Sequence, residues 1–155
     1  PRYVALISRL TDAVREPAMA PNDTSLPDLA KKAFKKLRKA VKALDDTATN
    51  TAWHYVRITA KRARYAAELA ELCLGRTATR FIEKMKLIQD QLGDIQDACI
   101  AEDHIRRFTL KKGGKSATFL AGEMVERQRQ RRRQAKRKFH STWRQVKKCG
   151  AEAWG

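Results

Sequence analysis

A chain of 155 residues with 43% apolar content is long enough for one domain with a real core, and too hydrophobic to be disordered throughout. Its 34 Lys and Arg against 17 acids give a formal charge of +17, a self-repulsion that disfavours a compact state unless an anionic partner is the norm. Three scattered cysteines (Cys73, Cys99 and Cys149) with no CxxC pair exclude a disulfide framework and a zinc site, and no apolar run reaches the roughly 18 residues of a membrane span. The cysteine usage fits a reducing, cytoplasmic setting. The N-terminus has no signal-peptide pattern and starts at Pro1 without a Met, as a trimmed segment would. The charge suits nucleic acid, an anionic membrane surface or inorganic phosphate chains. The plainer alternative is a solubility charge on a very basic bundle.

Residues 2–15 place Tyr3, Leu6, Ile7, Leu10 and Val14 at helical spacing, which predicts a short amphipathic helix. Pro17, Pro21 and Pro27, with Asn22, Asp23, Thr24 and Ser25 between them, mark a loop, and Ser25 or Pro27 opens the next helix. From Asp28 to Leu44 the apolar set is Leu29, Ala33, Phe34, Leu37, Val41 and Leu44, opposed by Lys31, Lys35, Arg38 and Lys42. After a polar break, Thr51 is expected to cap a helix that runs through Cys73 and stops at Gly75. A third long helix is expected over Thr77–Phe108. A turn at Lys111–Lys115 follows, with Ser116 as N-cap of a last helix over about 117–149. No strand-like alternation occurs. The fold class is therefore all-α: one domain over 1–155, an antiparallel four-helix bundle of long helices over 28–148, with a short extra N-terminal helix at 1–15.

The segment His54-Tyr-Val-Arg57-Ile-Thr-Ala-Lys61-Arg62-Ala-Arg64-Tyr65 carries the most information. Steps of three and four residues put His54, Arg57, Lys61 and Arg64 on one stripe of a helix, about 15 Å long at about 1.5 Å per residue. Such a row repels itself unless it is solvated or faced by an anion, and an extended polyanion fits its length. Glu68 and Glu71 come only after the run, so i,i+4 neutralisation within it is scarce. The plain alternative is a solvated helix face. His54 lies near the helix N-terminus, where the dipole disfavours His⁺ but favours a bound anion. On the same helix Tyr55, Ile58, Ala66, Leu69 and Cys73 are expected to face the core. Arg62 falls within that face and needs a partner, for which Asp97 is the first candidate.

In the next helix Lys86, Gln89, Gly93 and Asp97 share a stripe, and a mid-helix glycine, costing about 1 kcal/mol against Ala, suits the close approach of another backbone. Asp90, Asp94 and Asp97 have a spacing that permits a divalent metal, but no His–Glu set completes such a site, and structural ion pairs fit them better. The run Arg127–Lys138 reads as a solvated face or a polyanion arm, with Arg129, Arg133, Lys136, His140 and Lys147 on a common side. No P-loop, dinucleotide fingerprint, nucleophile elbow or nucleic-acid-binding module occurs, so no catalytic residue, metal or cofactor is expected. Few aromatics interleave the basic stripes, which favours a ligand with phosphates and no bases.

HYVRITAKRARY (residues 54–65) resembles the H-x-x-R-x-x-x-K-R-x-R-Y helix of CHAD domains, the conserved histidine α-helical domains. LIQDQLGDIQDA (residues 87–98) resembles the L-Q-x-x-L-G-x-x-x-D segment that follows it in that family, and Trp143 suits its terminal helix. The resemblance spans about residues 28–148 and implies the second half of a domain built from two four-helix halves, with residues 1–15 ending the first. A second copy in a homodimer, or another segment, would then complete the basic surface. The resemblance also implies binding of inorganic polyphosphate, no catalysis of its own, and frequent association with CYTH-type triphosphate-processing domains. By resemblance His54, Arg57, Lys61, Arg62 and Arg64 contribute to the polyphosphate surface and Lys86 joins from the next helix. Lys35, Arg38 and Lys42, and Arg133 and Lys136 of the last helix, are expected to extend it. The runner-up is an RNA- or DNA-binding basic protein. A phosphate-ester or triphosphate-processing subunit comes third.

Overall fold

The computed structural model describes residues 2–15, 23–45, 47–112 and 114–154, so Pro17, Pro21 and Asn22 of the expected loop lie outside the described residues. Five helices follow one another: α1 (Arg2–Arg15), α2 (Leu26–Lys42), α3 (Asn50–Leu74), α4 (Arg76–Lys112) and α5 (Lys115–Trp154). No strand occurs among the described residues. The all-α expectation holds; α3, α4 and α5 run a residue or more beyond their expected ends, while α2 starts earlier than expected and stops at Lys42, short of Leu44.

Local chemistry explains the boundaries. The Ser25 hydroxyl accepts from the Asp28 N–H at 3.2 Å, Pro27 sits in the first turn where no N–H is needed, and Asp28 favours the positive end of the dipole. Thr49, not Thr51, caps α3: its hydroxyl oxygen accepts from the Ala52 N–H at 3.2 Å, and the helix already includes Thr51. Gly75 ends α3 with φ +59°, a left-handed conformation that needs no Cβ, and its N–H closes on the Glu71 carbonyl at 2.8 Å. Ser116 is likewise inside a helix rather than its cap, because α5 starts at Lys115 and the Gly114 carbonyl accepts from the Thr118 N–H.

Helices α2 to α5 pack in sequence as a bundle, with α4 against α5 the longest interface and α2 meeting α5 only sparsely. The core joins Phe34 and Leu37 of α2, Trp53 and Val56 of α3, Phe81, Met85, Ile88, Leu92 and Ile95 of α4, and Phe139 and Val146 of α5. Phe34 packs edge-on against Phe81 at 5.1 Å, and Phe81 in turn against Trp154 at 5.6 Å.

The inward face of α3 differs from expectation. Its buried row is Trp53, Val56, Ala60, Ala63, Ala67 and Ala70, while Tyr55, Leu69 and Cys73 are exposed and Ile58 and Ala66 half-buried. Four alanines let α2 and α4 approach closely, and contact area with those neighbours outweighs the size of any one side chain. The rotation of the face also moves Arg62 to the surface. It makes no ion pair with Asp97, which is exposed on α4. Leu29 is a smaller departure, exposed at the start of α2.

The glycine that meets another helix is not Gly93, where an added Cβ would touch nothing within 4 Å, but Gly150, which lies against the Phe34 ring. Two surfaces stay uncovered. Helix α1 buries none of its residues. The α4–α5 hairpin runs past the start of α3 at Asn50, leaving Phe108, Leu110, Phe119, Leu120 and Met124 exposed near its tip.

Candidate polyanion-binding surface

Three contacts fix α4 against α3: the Cys99 thiol on the Asn50 side-chain oxygen (3.2 Å), the Gln89 amide on the Ala60 carbonyl (3.5 Å), and the Thr79 hydroxyl on the Glu71 carboxylate (2.7 Å). The paired numbers run in opposite directions with a nearly constant sum, so the helices are antiparallel and Lys86 stands level with Ala63 and Arg64. Asn50, Arg57 and Arg64 are seven residues apart and so point within about 20° of one another per step. Since Asn50 touches α4, Arg57 and Arg64 flank the same seam. Both are half-buried there, while His54 and Lys61 stand exposed beside them.

The strip is therefore a wall of α3 with Lys86 at one end. The Nε atoms of Arg57 and Arg64 are buried without an acceptor, so packing holds each guanidinium at its root and leaves the outer nitrogens to make polar contacts. Arg64 uses one for Glu68 at 3.0 Å, the one neutralisation within the stripe, and its guanidinium carbon lies 4.7 Å from the centre of the Tyr65 ring. Among the described residues His54, Arg57, Lys61, Arg62 and Lys86 form no ion pair. Asp90 and Asp97 share the exposed row of α4 with Lys86, so that row carries both signs of charge.

The arginine run of α5 is chemically different. Arg129 and Arg132 reach Glu102 of α4 at 3.1 and 3.6 Å, Arg131 reaches Asp94 at 2.9 Å, and Arg133 pairs with Glu126. Glu102 is the hub, with its side chain only 13% exposed. Burial draws its carboxyl upward, but hydrogen bonds from Arg106 and Arg129 and the charges of Arg129 and Arg132 outweigh that and hold it below the usual carboxylate range. Arg133 is therefore a neutralised cation away from the α3 strip. Lys136, by contrast, reaches α3: its ammonium lies 4.8 Å from the centre of the ring of Trp53, the residue before His54, and burial and Arg132 push it below the ordinary lysine value.

Lys35, Arg38 and Lys42 do not adjoin the α3 strip either. They line one side of a groove between α2 and α5, across the bundle from the α3–α4 seam. The helical spacing of these three cations shows neither the groove nor the Glu102 hub, for which the i,i+4 spacing of Glu102 and Arg106 is the visible part of the signal. Among the described residues no three His, Cys, Asp or Glu side chains converge as metal ligands do. No described helix is long and apolar enough to cross a membrane.

The CHAD domain profile matches residues 1–106, from α1 through most of α4, and so takes in both motifs. The chain belongs to the CHAD family. The CHAD match begins earlier and ends earlier than residues 28–148, placing α1 inside it and α5 outside. Two uncharacterized proteins of Mycobacterium tuberculosis, from strains CDC 1551 and H37Rv, are each 32% identical over 112 residues, which is 67% of this chain. That segment is 21% of either relative, so this CHAD chain spans about a fifth of the relatives' length. No solved structure matches it.

Proposed function

We propose that this CHAD chain is a non-catalytic module that binds inorganic polyphosphate along the α3 strip formed by His54, Arg57, Lys61 and Arg64, with Arg62 and Lys86 at its margin. The observation that carries this reading is the contrast between two basic helices. Four of the seven α5 arginines, Arg129, Arg131, Arg132 and Arg133, are spent on Glu102, Asp94 and Glu126, while the α3 motif cations, apart from Arg64, stand unpaired. Uncompensated like charges at one helical spacing repel one another, and a linear anion relieves that repulsion along its whole length. Arg57 offers a planar fork for two phosphate oxygens, and Lys61 and Lys86 act as mobile point charges. The partner domain implied by the resemblance is of CYTH type, and the setting is the cytoplasm.

Binding of this kind is driven by counterion release, so its affinity depends steeply on salt. Titrating long-chain polyphosphate into the protein across 50 to 200 mM salt should give a straight double-logarithmic plot with a slope near −3 to −5, about one per phosphate contact. A slope near zero would sink the reading.

A further inference from the structure

The groove between α2 and α5 has an electrostatic character that the α3 strip lacks. It has a volume of about 610 Å³ and is rimmed by Lys35, Arg38, Lys39 and Lys42 on α2 and by His140 and Lys147 on α5. No Asp or Glu lines it. Among the described residues none of its five Lys and Arg side chains forms an ion pair. The α3 strip, by comparison, has Glu68 within it and Asp90 and Asp97 on the neighbouring row.

The groove exists because α2 and α5 diverge. At the middle of α2, Phe34 closes on Trp143 and Gly150, and the groove opens from Lys35 onward toward Leu44. Val41, Leu44 and Trp143 form the floor. The spacing 35, 38, 39, 42 puts four cations on one face of α2, and 140 and 147 continue the opposite rim on α5. Long cationic side chains lay their stems along such an apolar floor and hold their heads at its edge. A floor of low polarity also screens the heads less than open water would.

We infer that this groove is a second binding site for condensed phosphate chains, separate from the α3 strip, so that one domain holds two phosphate segments on opposite sides of the bundle. The inference rests on the polyphosphate reading and deepens it. Two sites on one rigid body make a long chain that reaches both bind more tightly than a short one, with no new contact, by about a hundredfold or more. They also let one domain bridge two chains.

The test is a calorimetric titration of the full chain with inorganic tripolyphosphate at low salt, which is short enough to occupy each site singly. Two equivalents should bind. Lys39→Gln with Lys42→Gln and Lys147→Gln should lower this to one, and Arg57→Ala with Lys61→Ala should also lower it to one. In each case the surviving site reports that the variant is folded. A single equivalent, abolished by the α3 variant and untouched by the groove variant, overturns the inference and leaves the α3 reading standing. Binding that only the groove variant removes overturns the α3 reading and keeps the groove as a phosphate site. Absence of binding in the unmodified chain overturns both.

Discussion

Replacing Arg57 and Lys61 by alanine is expected to weaken polyphosphate binding about 30-fold, at about 1 kcal/mol for each cation lost against an anionic partner. The salt slope should fall by about two at the same time, because each lost contact removes about one released counterion. Lys61 is exposed and Arg57 half-buried, so neither removal opens the core. The comparison that gives this its meaning is Arg131→Ala with Arg133→Ala, which lowers the net charge equally. Those arginines already face Asp94 and Glu126, so their loss also frees a carboxylate on the surface. If binding followed net charge alone, the two double variants would weaken it alike. Location on the α3 strip predicts a larger loss for Arg57 and Lys61, read by fluorescence or calorimetric titration at fixed salt.

The second large effect concerns stability. Gly150 sits inside α5 facing the Phe34 ring, and a Cβ there would overlap ring atoms Cε1 and Cζ. Phe34 is only 4% exposed and is held edge-on by Phe81 and obliquely by Trp143, so the ring has no free direction in which to yield. Ala is the better helix former by about 1 kcal/mol, and at an open position Gly→Ala stabilises. At Gly150 overpacking of about 3 kcal/mol outweighs that gain and leaves a net loss of about 2 kcal/mol. For a domain of this size that lowers the melting temperature by roughly 4–8 °C. Gly122, also inside α5 but exposed with nothing within 4 Å, provides the opposite sign: Gly122→Ala should raise the melting temperature slightly. Thermal melts by circular dichroism of both variants decide the point, and a Gly150→Ala protein as stable as the parent would mean that α2 and α5 do not meet at Phe34.

Elements written in single residues were legible in the sequence. Ser25 opens α2 and Gly75 ends α3 because capping and left-handed backbone are local chemistry. The row His54, Arg57, Lys61, Arg64 was legible for the same reason, since helical spacing alone places four residues on one face. The inward face of α3 was not. Tyr55 and Leu69 look like core residues by size, but Ala60, Ala63, Ala67 and Ala70 won the interior because close helix approach rewards small side chains on both sides of α3. Arg62 and its supposed bond to Asp97 followed from the same misplaced face. The α5 arginines looked free because their partners Glu102 and Asp94 lie on another helix, 27 to 37 residues away in sequence. The α2–α5 groove depends on the divergence of two helices, and no spacing along either of them encodes it.

On the proposed reading the α3 strip prefers phosphate chains without bases. Its basic rows carry few aromatics on which bases would stack, so nucleic acid gains only the backbone term that any polyanion gains. The direct measurement is competition at physiological salt: labelled long-chain polyphosphate bound to the full chain, challenged with unlabelled RNA and DNA at equal phosphate concentration, with orthophosphate release followed in the same tube. Labelled polyphosphate should stay bound, unlabelled polyphosphate should displace it, and no orthophosphate should appear. Displacement by RNA or DNA at equal phosphate, or metal-dependent release of orthophosphate, would contradict the proposed reading.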